Sequence, residues 1–318
     1  EEFTNCGVRH TIMPNGDVVA DQDEYIKDLR TISNGDLTGK PAHEECSYEL
    51  QAMFWSLLGA VAYTLLTQVW ISCFVIALQR VTHKPTILHV KRLNVVVRAI
   101  QSRPQRVRYR RMACSRHLEI HADSAFAKED SKGYAMKGTN FMRRGIDRNT
   151  GDEVWHLLEG TAQSHKNVVR STFGAELFAI TSAADNLIPL LVTLEEFASG
   201  SLSTSSAKRL REEGGWCFRS VLVTDSMSLF QAIHAHTLKI PSEKSLALHL
   251  FWLRELLDRQ IVSELKWCDT RDMTADGHTK GSVDRAALLQ LMNGIFQYRY
   301  PVQSTANRQI GRKPTLKE

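Results

Sequence analysis

Apolar and polar positions change their rhythm along this chain, and each rhythm predicts a different kind of element. Residues 1–35 read as short strand-like pieces, and in MPNGDVV the Asn15 and Gly16 pair predicts a hairpin turn. DQDEYIKDLRTI then predicts a short helix, and residues 36–50 are polar and irregular, with Gly39 and Pro41. From 51 to 100 the pattern is helical, ending in PTILHVKRLNVVVRAIQ with Pro85 near the start of that helix. Residues 52–78 form a long, mostly apolar run interrupted by Ser56, Thr64, Thr67, Gln68 and Ser72. About 20 apolar residues suffice to cross a membrane. Two buried helices joined near Thr67–Trp70 fit the same pattern.

The second half alternates strands and helices. HLEIHADSAF alternates with the period of two of a strand over 117–126, and GYAMKGTNFMRR continues as a strand over 133–144. RGIDRNTGDE is a turn, with EVWHLLEGTAQ as the return strand. VVRSTFGAELFAITSAADNLIPLLVTLEEFA predicts a long helix in which Pro189 makes a kink or a division, with Ser171 and Thr172 as caps. SGSLSTSSAKRLREEGG reads as a mobile loop of low apolarity, WCFRSVLVTD as a buried strand and SLFQAIHAH as a short helix. SEKSLALHLFWLRELLDRQ is an amphipathic helix with Ser242 as its cap, followed by the strand IVSELKWC and, after TADGHTKG, the last helix DRAALLQLMNG. This order predicts an α/β domain with a mixed central sheet, and no internal repeat is visible.

Composition adds bounds. The chain has 318 residues, 43% of them hydrophobic, enough for two cores or one large one. A net charge of +5 favours a polyanionic partner only mildly. The distribution says more: Lys91, Arg92, Arg98, Arg103, Arg106, Arg108, Arg110, Arg111 and Arg116 follow one another without an acidic residue between them. Such a strip suits phosphate binding, with a solvated helix and linker as the plainer alternative. Cys6, Cys46, Cys73, Cys114, Cys217 and Cys268 form no CxxC and no Cys/His zinc pattern, so a reducing compartment fits. The opening EEFTNCGVRH, without a Met or a signal pattern, reads as part of something longer.

The candidate chemistry lies in four carboxylates. Asp123 sits in the first strand of the second half, Glu176 at a helix start, Asp225 where an apolar strand ends, and Asp276 in the turn before a helix. Each alone has a plainer role, as a turn residue, a solvated side chain or a cap. Together, on rigid elements, they would hold two divalent ions about 4 Å apart, an arrangement that cuts phosphodiesters.

The stretch 117–285 resembles the ribonuclease H domain of copia-type retrotransposon polyproteins, through ADSAFA, SKGYAMKG, RSTFGAE, VLVTDSMS, FWLRELL and ADGHTKG. Upstream, SLLGAVAYTLLTQVWISCFVIALQRVTHKPTILHVKRLNVVVRAI resembles the helical connection that precedes that domain, and CGVRHTIMPNGDVVADQDEYIKDL the last piece of the reverse transcriptase. The resemblance implies an end of a palm-like region over 1–35, a helical connection with a basic linker over 36–116, a ribonuclease H-like domain over 117–300 and a polar tail over 301–318. It implies a five-stranded mixed sheet flanked by helices. Asp123, Glu176, Asp225 and Asp276 become the ligands of two magnesium ions, with manganese as an alternative and Asp123 shared by both.

The implied reaction is endonucleolytic cleavage of the RNA strand of an RNA–DNA hybrid during reverse transcription. The implied partners are that hybrid and the rest of the polyprotein, with no membrane. The element's life cycle implies the cytoplasm, virus-like particles and the nucleus. His278 reads as a group touching the phosphate or the leaving oxygen, or as an exposed turn residue. Arg271 or His278 would replace the histidine that relatives carry before the last carboxylate. Ser124 and Ser226 would hydrogen-bond within the site, and His121 is structural. Hybrid binding falls to the basic strip from Lys91 to Arg111.

Several features depart from that pattern. Thr67, Gln68, Val69 and Trp70 stand where the family has an Arg-Pro-Asp break, Ser242, Glu243 and Lys244 replace a basic-histidine motif, and the loop at 200–215 is long. This drift reads as a decaying element copy, so a catalytically inactive nucleic-acid-binding remnant is the alternative. The paired aspartates of a polymerase are absent, so no DNA synthesis is expected from this fragment alone. Integrase chemistry fits less well, given a fourth carboxylate and no zinc array.

Overall fold

The computed structural model describes residues 1–305 apart from 34, 36, 127–134, 167, 236–240 and 242. A small antiparallel sheet in the order β1-β2-β3-β4 opens the chain, from β1 (Glu2–Asn5), β2 (Val8–Ile12), β3 (Val18–Asp21) and the later β4 (Val107–Tyr109). The Asn-Gly turn closes the β2–β3 hairpin as expected. Ile12 faces Val18, and Gly16 takes φ +83°, a left-handed conformation that glycine adopts without Cβ strain.

Helix α1 (Asp23–Asp28) leads to α2 (Tyr48–Tyr63), α3 (Ser72–Gln79) and α4 (Ile87–Ser102), which share a core around Phe54, Val75, Leu93 and Val97. The apolar run at 52–78 is divided, as the pattern allowed, by two 3-10 turns at Thr64–Leu66 and Val69–Ile71. Of the polar residues that interrupt it, Ser56 is exposed, while Thr64, Thr67, Gln68 and Ser72 are buried and hydrogen-bonded. Thr67 Oγ1 donates to Gln22 Oε1 at 3.0 Å, and the Gln68 amide exchanges two hydrogen bonds with the backbone of Gln105 at 2.6 and 2.9 Å. Two helical stretches, Tyr48–Leu66 and Thr172–Ser199, are long and apolar enough to cross a membrane by length and composition. Both contribute buried side chains to the cores described here.

The second half builds a mixed sheet of six strands in the order β10-β9-β8-β5-β6-β7. β5 (His117–Ala125), β6 (Met136–Ile146) and β7 (Glu153–Ser164) form an antiparallel meander, while β8 (Arg219–Thr224) and β9 (Glu264–Trp267) run parallel to β5. The alternation in β5 sorts its side chains. Leu118, Ile120 and Ala122 join the main core with α5 (Thr172–Ser199), α7 (Met227–His234) and α8 (Leu246–Asp258). Glu119, His121 and Asp123 are the intervening positions, all fully buried, and they bond instead with residues from the C-terminal quarter of the chain. A further core joins the two halves, with Val8, Val69 and Val107 packed beside Trp155, Leu288 and Phe296.

Several expectations need correction. The segment read as a mobile loop contains α6 (Thr204–Glu213), capped by Ser203 and ended at Gly214. Only Leu210 of it is buried, so helix propensity and caps carry it without an apolar stripe. Helix α5 runs undivided through Pro189, because Leu187 and Leu191 on either side are buried in the core. Asp276 opens a separate one-turn helix, α9 (Asp276–Thr279), and the last helix α10 (Ala286–Met292) follows a connecting segment. The expected tail begins with β10 (Gln303–Ser304), an edge strand that makes the sheet six-stranded; its remainder, 306–318, lies outside the described residues, as do Ser242 and the start of the strand expected from 133.

Candidate metal centre

The sheet topology brings the carboxylates together. β5 and β8 are parallel neighbours with His121 opposite Val223, and the same offset sets Asp123 level with Asp225, just past the end of β8. α9 packs on β5 and β6 and presents Asp276 from its first position. Asp123, Asp225 and Asp276 each offer one carboxylate oxygen, and the three oxygens lie within 4.8 Å of one another.

Glu176, in the early turns of α5, stands outside that trio but interacts electrostatically with Asp123 and Asp225. Its residue is 6% exposed, and its Oε2 has no hydrogen-bond partner among the described residues. The backbone N–H of Ser124 donates to its carboxylate. Burial, reinforced by Asp123 and Asp225, pushes the Glu176 carboxyl up to about 10. Burial and Asp123 push Asp276 up to about 8, and the same two causes raise Asp225. Crowded, buried carboxylates retain protons because ionising them together in a medium of low polarity is costly.

Three further groups complete the cluster, none of which the chain had suggested. Thr270 Oγ1 donates to Asp225 Oδ2 at 2.8 Å, and the Thr279 hydroxyl donates to Asp123 Oδ2. The Lys280 ammonium bonds Asp276 Oδ1 at 2.6 Å and reaches Asp123 Oδ1 at 3.4 Å. Burial opposes the charge on Lys280, yet Asp123 and Asp276 raise its pKa above the ordinary lysine value. A signal for Lys280 did exist: it stands four positions after Asp276, the spacing at which helical side chains meet.

An all-oxygen donor set of four carboxyl groups, beside a single ammonium among the described residues, and an orphaned Glu176 oxygen suit a hard divalent cation. The aspartate trio, buried at Asp123 and Asp276 and half-buried at Asp225, can therefore hold a metal ion.

The auxiliary residues fall elsewhere. His278 is fully buried, neither an exposed turn residue nor a group facing substrate. Its Nδ1 bonds Ser72 Oγ at 2.6 Å and its Nε2 bonds Asn140 Oδ1 at 2.7 Å, while burial and then Arg285 push its pKa down to about 3. Arg271 is spent on Asp269, through bonds of 2.8 and 2.9 Å, and its guanidinium lies 3.5 Å over the Tyr300 ring. The Ser124 hydroxyl pairs with Met136 O and His165 Nε2, so it is the Ser124 backbone that serves the site. Ser226 caps α7, and Ser171 caps α5. His121 is structural as expected, buried between Thr274 and Tyr298.

The basic strip divides in two. Lys91, Arg92 and Arg98 on α4, with Arg103 at its end and Arg111 beyond β4, are exposed. Arg106 pairs with Asp23 at 2.6 Å, Arg108 with buried Asp17 at 2.6 Å, and Arg110 donates to Asn293 O at 3.3 Å. These three tie the halves of the chain to each other and to the small sheet.

The chain matches no protein-family model and no curated protein sequence.

Proposed function

We propose that the chain is a C-terminal piece of a copia-type retrotransposon polyprotein, with a ribonuclease H-like domain that cleaves the RNA strand of RNA–DNA hybrids. The observation that carries this reading is the meeting of Asp123, Asp225 and Asp276, from three separated motifs, with Glu176 buried beside them. A mixed sheet with helices packed on it, as the resemblance implies, supports it further.

Two magnesium ions bound there would activate a water and stabilise the departing 3′ oxygen. As water oxygen bonds to phosphorus and the P–O3′ bond breaks, the products are a 5′ phosphate and a 3′ hydroxyl. Asp123 and Asp225, on the ends of neighbouring strands, supply a rigid pair of ligands. Thr279 and Thr270 orient those two carboxylates by hydrogen bonds. Glu176 and Asp276 must give up their protons on loading. The exposed cations of α4 provide backbone grip, and the hybrid would be recognised by shape and 2′ hydroxyls rather than base sequence.

The test is cleavage of a labelled RNA strand in a hybrid with magnesium, comparing the wild-type chain with Asp123→Asn and Asp225→Asn. Cleavage by the wild type alone supports the reading. Hybrid binding without cleavage by a folded wild type identifies the inactive remnant instead.

A further inference from the structure

Lys280 holds the side of the acidic cluster that a cation would need. Its ammonium lies 2.6 Å from Asp276 Oδ1 and 3.4 Å from Asp123 Oδ1, and both aspartates belong to the trio whose oxygens converge within 4.8 Å. The root of the side chain is pinned. The Lys280 N–H donates to Asp276 O at 3.0 Å, and Arg285 Nη2 donates to Lys280 O at 2.9 Å. The stem is free of such ties, and the side chain is 32% exposed, so the ammonium has a route to solvent.

Two positive charges would then compete for one pair of carboxylates. The ammonium and a divalent ion cannot both take Asp276 Oδ1 at contact distance without strong repulsion. A lysine on a flexible four-carbon stem is the residue suited to leave.

We propose that Lys280 is the resident counter-cation of the cluster. It balances the carboxylates in the metal-free chain, yields to a divalent ion, and swings on its fixed root toward solvent, where its ammonium faces incoming phosphate. This rests on the metal reading above and adds to it an internal competitor that sets the cation affinity. Asp276 is the exchange point, since it makes the shorter contact with Lys280.

The experiment titrates the full chain with Mn²⁺ by calorimetry and by the electron paramagnetic resonance of free ion, at one fixed neutral pH. It compares wild type, Lys280→Met, Lys280→Arg and Asp225→Asn, and records each melting temperature in chelator. Removing the competitor should tighten Mn²⁺ binding by roughly tenfold or more, the usual scale of coupling between two ligands. Lys280→Met should also melt lower in chelator and gain more from Mn²⁺ than wild type does, and Lys280→Arg should stay near wild type. Where Lys280→Met does not fold, Lys280→Gln keeps a donor without the charge and should show the same tightening. Equal or weaker Mn²⁺ binding by the folded neutral variants overturns the proposal while leaving the metal reading intact. Absence of any Asp225-dependent Mn²⁺ binding, in wild type and neutral variants alike, overturns both.

Discussion

Ser72 Oγ and His278 Nδ1 meet at 2.6 Å, joining the start of α3 to the one-turn helix that carries Asp276, 206 residues later in the chain. The pairing has a direction. Asn140 Oδ1 can only accept, so His278 donates from Nε2 at 2.7 Å, and the neutral ring then accepts from the Ser72 hydroxyl at Nδ1. Asn140 Nδ2 passes the chain on to Thr274 Oγ1 at 3.0 Å, which donates to His121 Nδ1 at 3.0 Å. His121 Nε2 donates to Tyr298 at 2.7 Å, and Tyr298 donates to Glu119. Every donor in this buried line finds one acceptor, so the helical first half takes part in holding the acidic turn.

Ser72→Ala leaves His278 Nδ1 buried without a partner. The expected cost is about 1–3 kcal/mol, read from denaturant unfolding. Because His278 lies in the same turn as Asp276, Mn²⁺ affinity should also fall, by roughly tenfold, the scale on which outer partners of a ligand act. Unchanged Mn²⁺ affinity would show that the first half merely packs against the site.

Without metal, the protein should lose stability as pH rises. Glu176 moves from an ordinary 4.5 to about 10 and Asp276 from 3.8 to about 8, so both bind their protons more tightly folded than unfolded. That contribution is complete below the unfolded value and drains away as pH climbs toward the folded one. In chelator, the melting temperature should fall between about pH 7 and pH 8, above the range in which buried histidines such as His278 and His165, whose pKa values burial pushes down, contribute the opposite slope. Glu176→Gln should flatten that slope, and magnesium should reverse it by favouring the ionised forms. A chelated wild type whose stability rises over this range would contradict the raised carboxyls.

Legibility tracked how local each signal was. The alternation of Leu118, Ile120 and Ala122 with Glu119, His121 and Asp123 is written within one strand, and it predicted both the strand and its carboxylate. The four acids could be marked because each sits in a segment with its own local pattern, Asp123 within a strand, Glu176 early in a helix, Asp225 just past a strand and Asp276 at the start of a turn of helix. His278 was misread because its partners, Ser72 and Asn140, are remote in the chain, and nothing nearby distinguishes a buried histidine from a turn residue. β10 was missed for a similar reason: two residues have no period, and only pairing with β9 makes them a strand. α6 escaped because hydrophobic patterning is blind to a helix with one buried residue. Lys280 escaped because a lysine in a polar turn is ordinary until a second carboxylate arrives from β5.

The basic strip should separate by experiment as it does in space. Arg108→Ala strips a fully buried Asp17 of its ion pair and should destabilise the chain by about 1–3 kcal/mol, discounted because Arg108 itself is one-third exposed. Lys91→Ala, Arg92→Ala and Arg98→Ala should leave unfolding unchanged within about 0.5 kcal/mol. Combined, those three should weaken hybrid binding and reduce its salt dependence by roughly one to three units of slope. A binding loss confined to Arg108→Ala would move the hybrid surface off α4.

Gly138 faces Asp123 across the β5–β6 ladder, and its missing side chain is what lets α9 lie close on the sheet. A Cβ there would stand 2.6 Å from His278 Cβ, 2.9 Å from Ala275 O and 3.0 Å from Thr279 Cγ2, contacts that include backbone and cannot be relieved by turning one flexible side chain. Gly138→Ala must therefore lift α9, and with it Asp276, Thr279 and Lys280. The expected result is a loss of about 1–3 kcal/mol in stability, the usual cost of overpacking, together with weakened Mn²⁺ binding. Gly59→Ala is the control, because Gly59 lies exposed within α2 with nothing within 4 Å of the added carbon. It should raise stability by about 0.5–1 kcal/mol through helix propensity and leave the cation affinity unchanged. If Gly138→Ala binds Mn²⁺ as the wild type does, close seating of α9 on β6 is not what sets the position of Asp276.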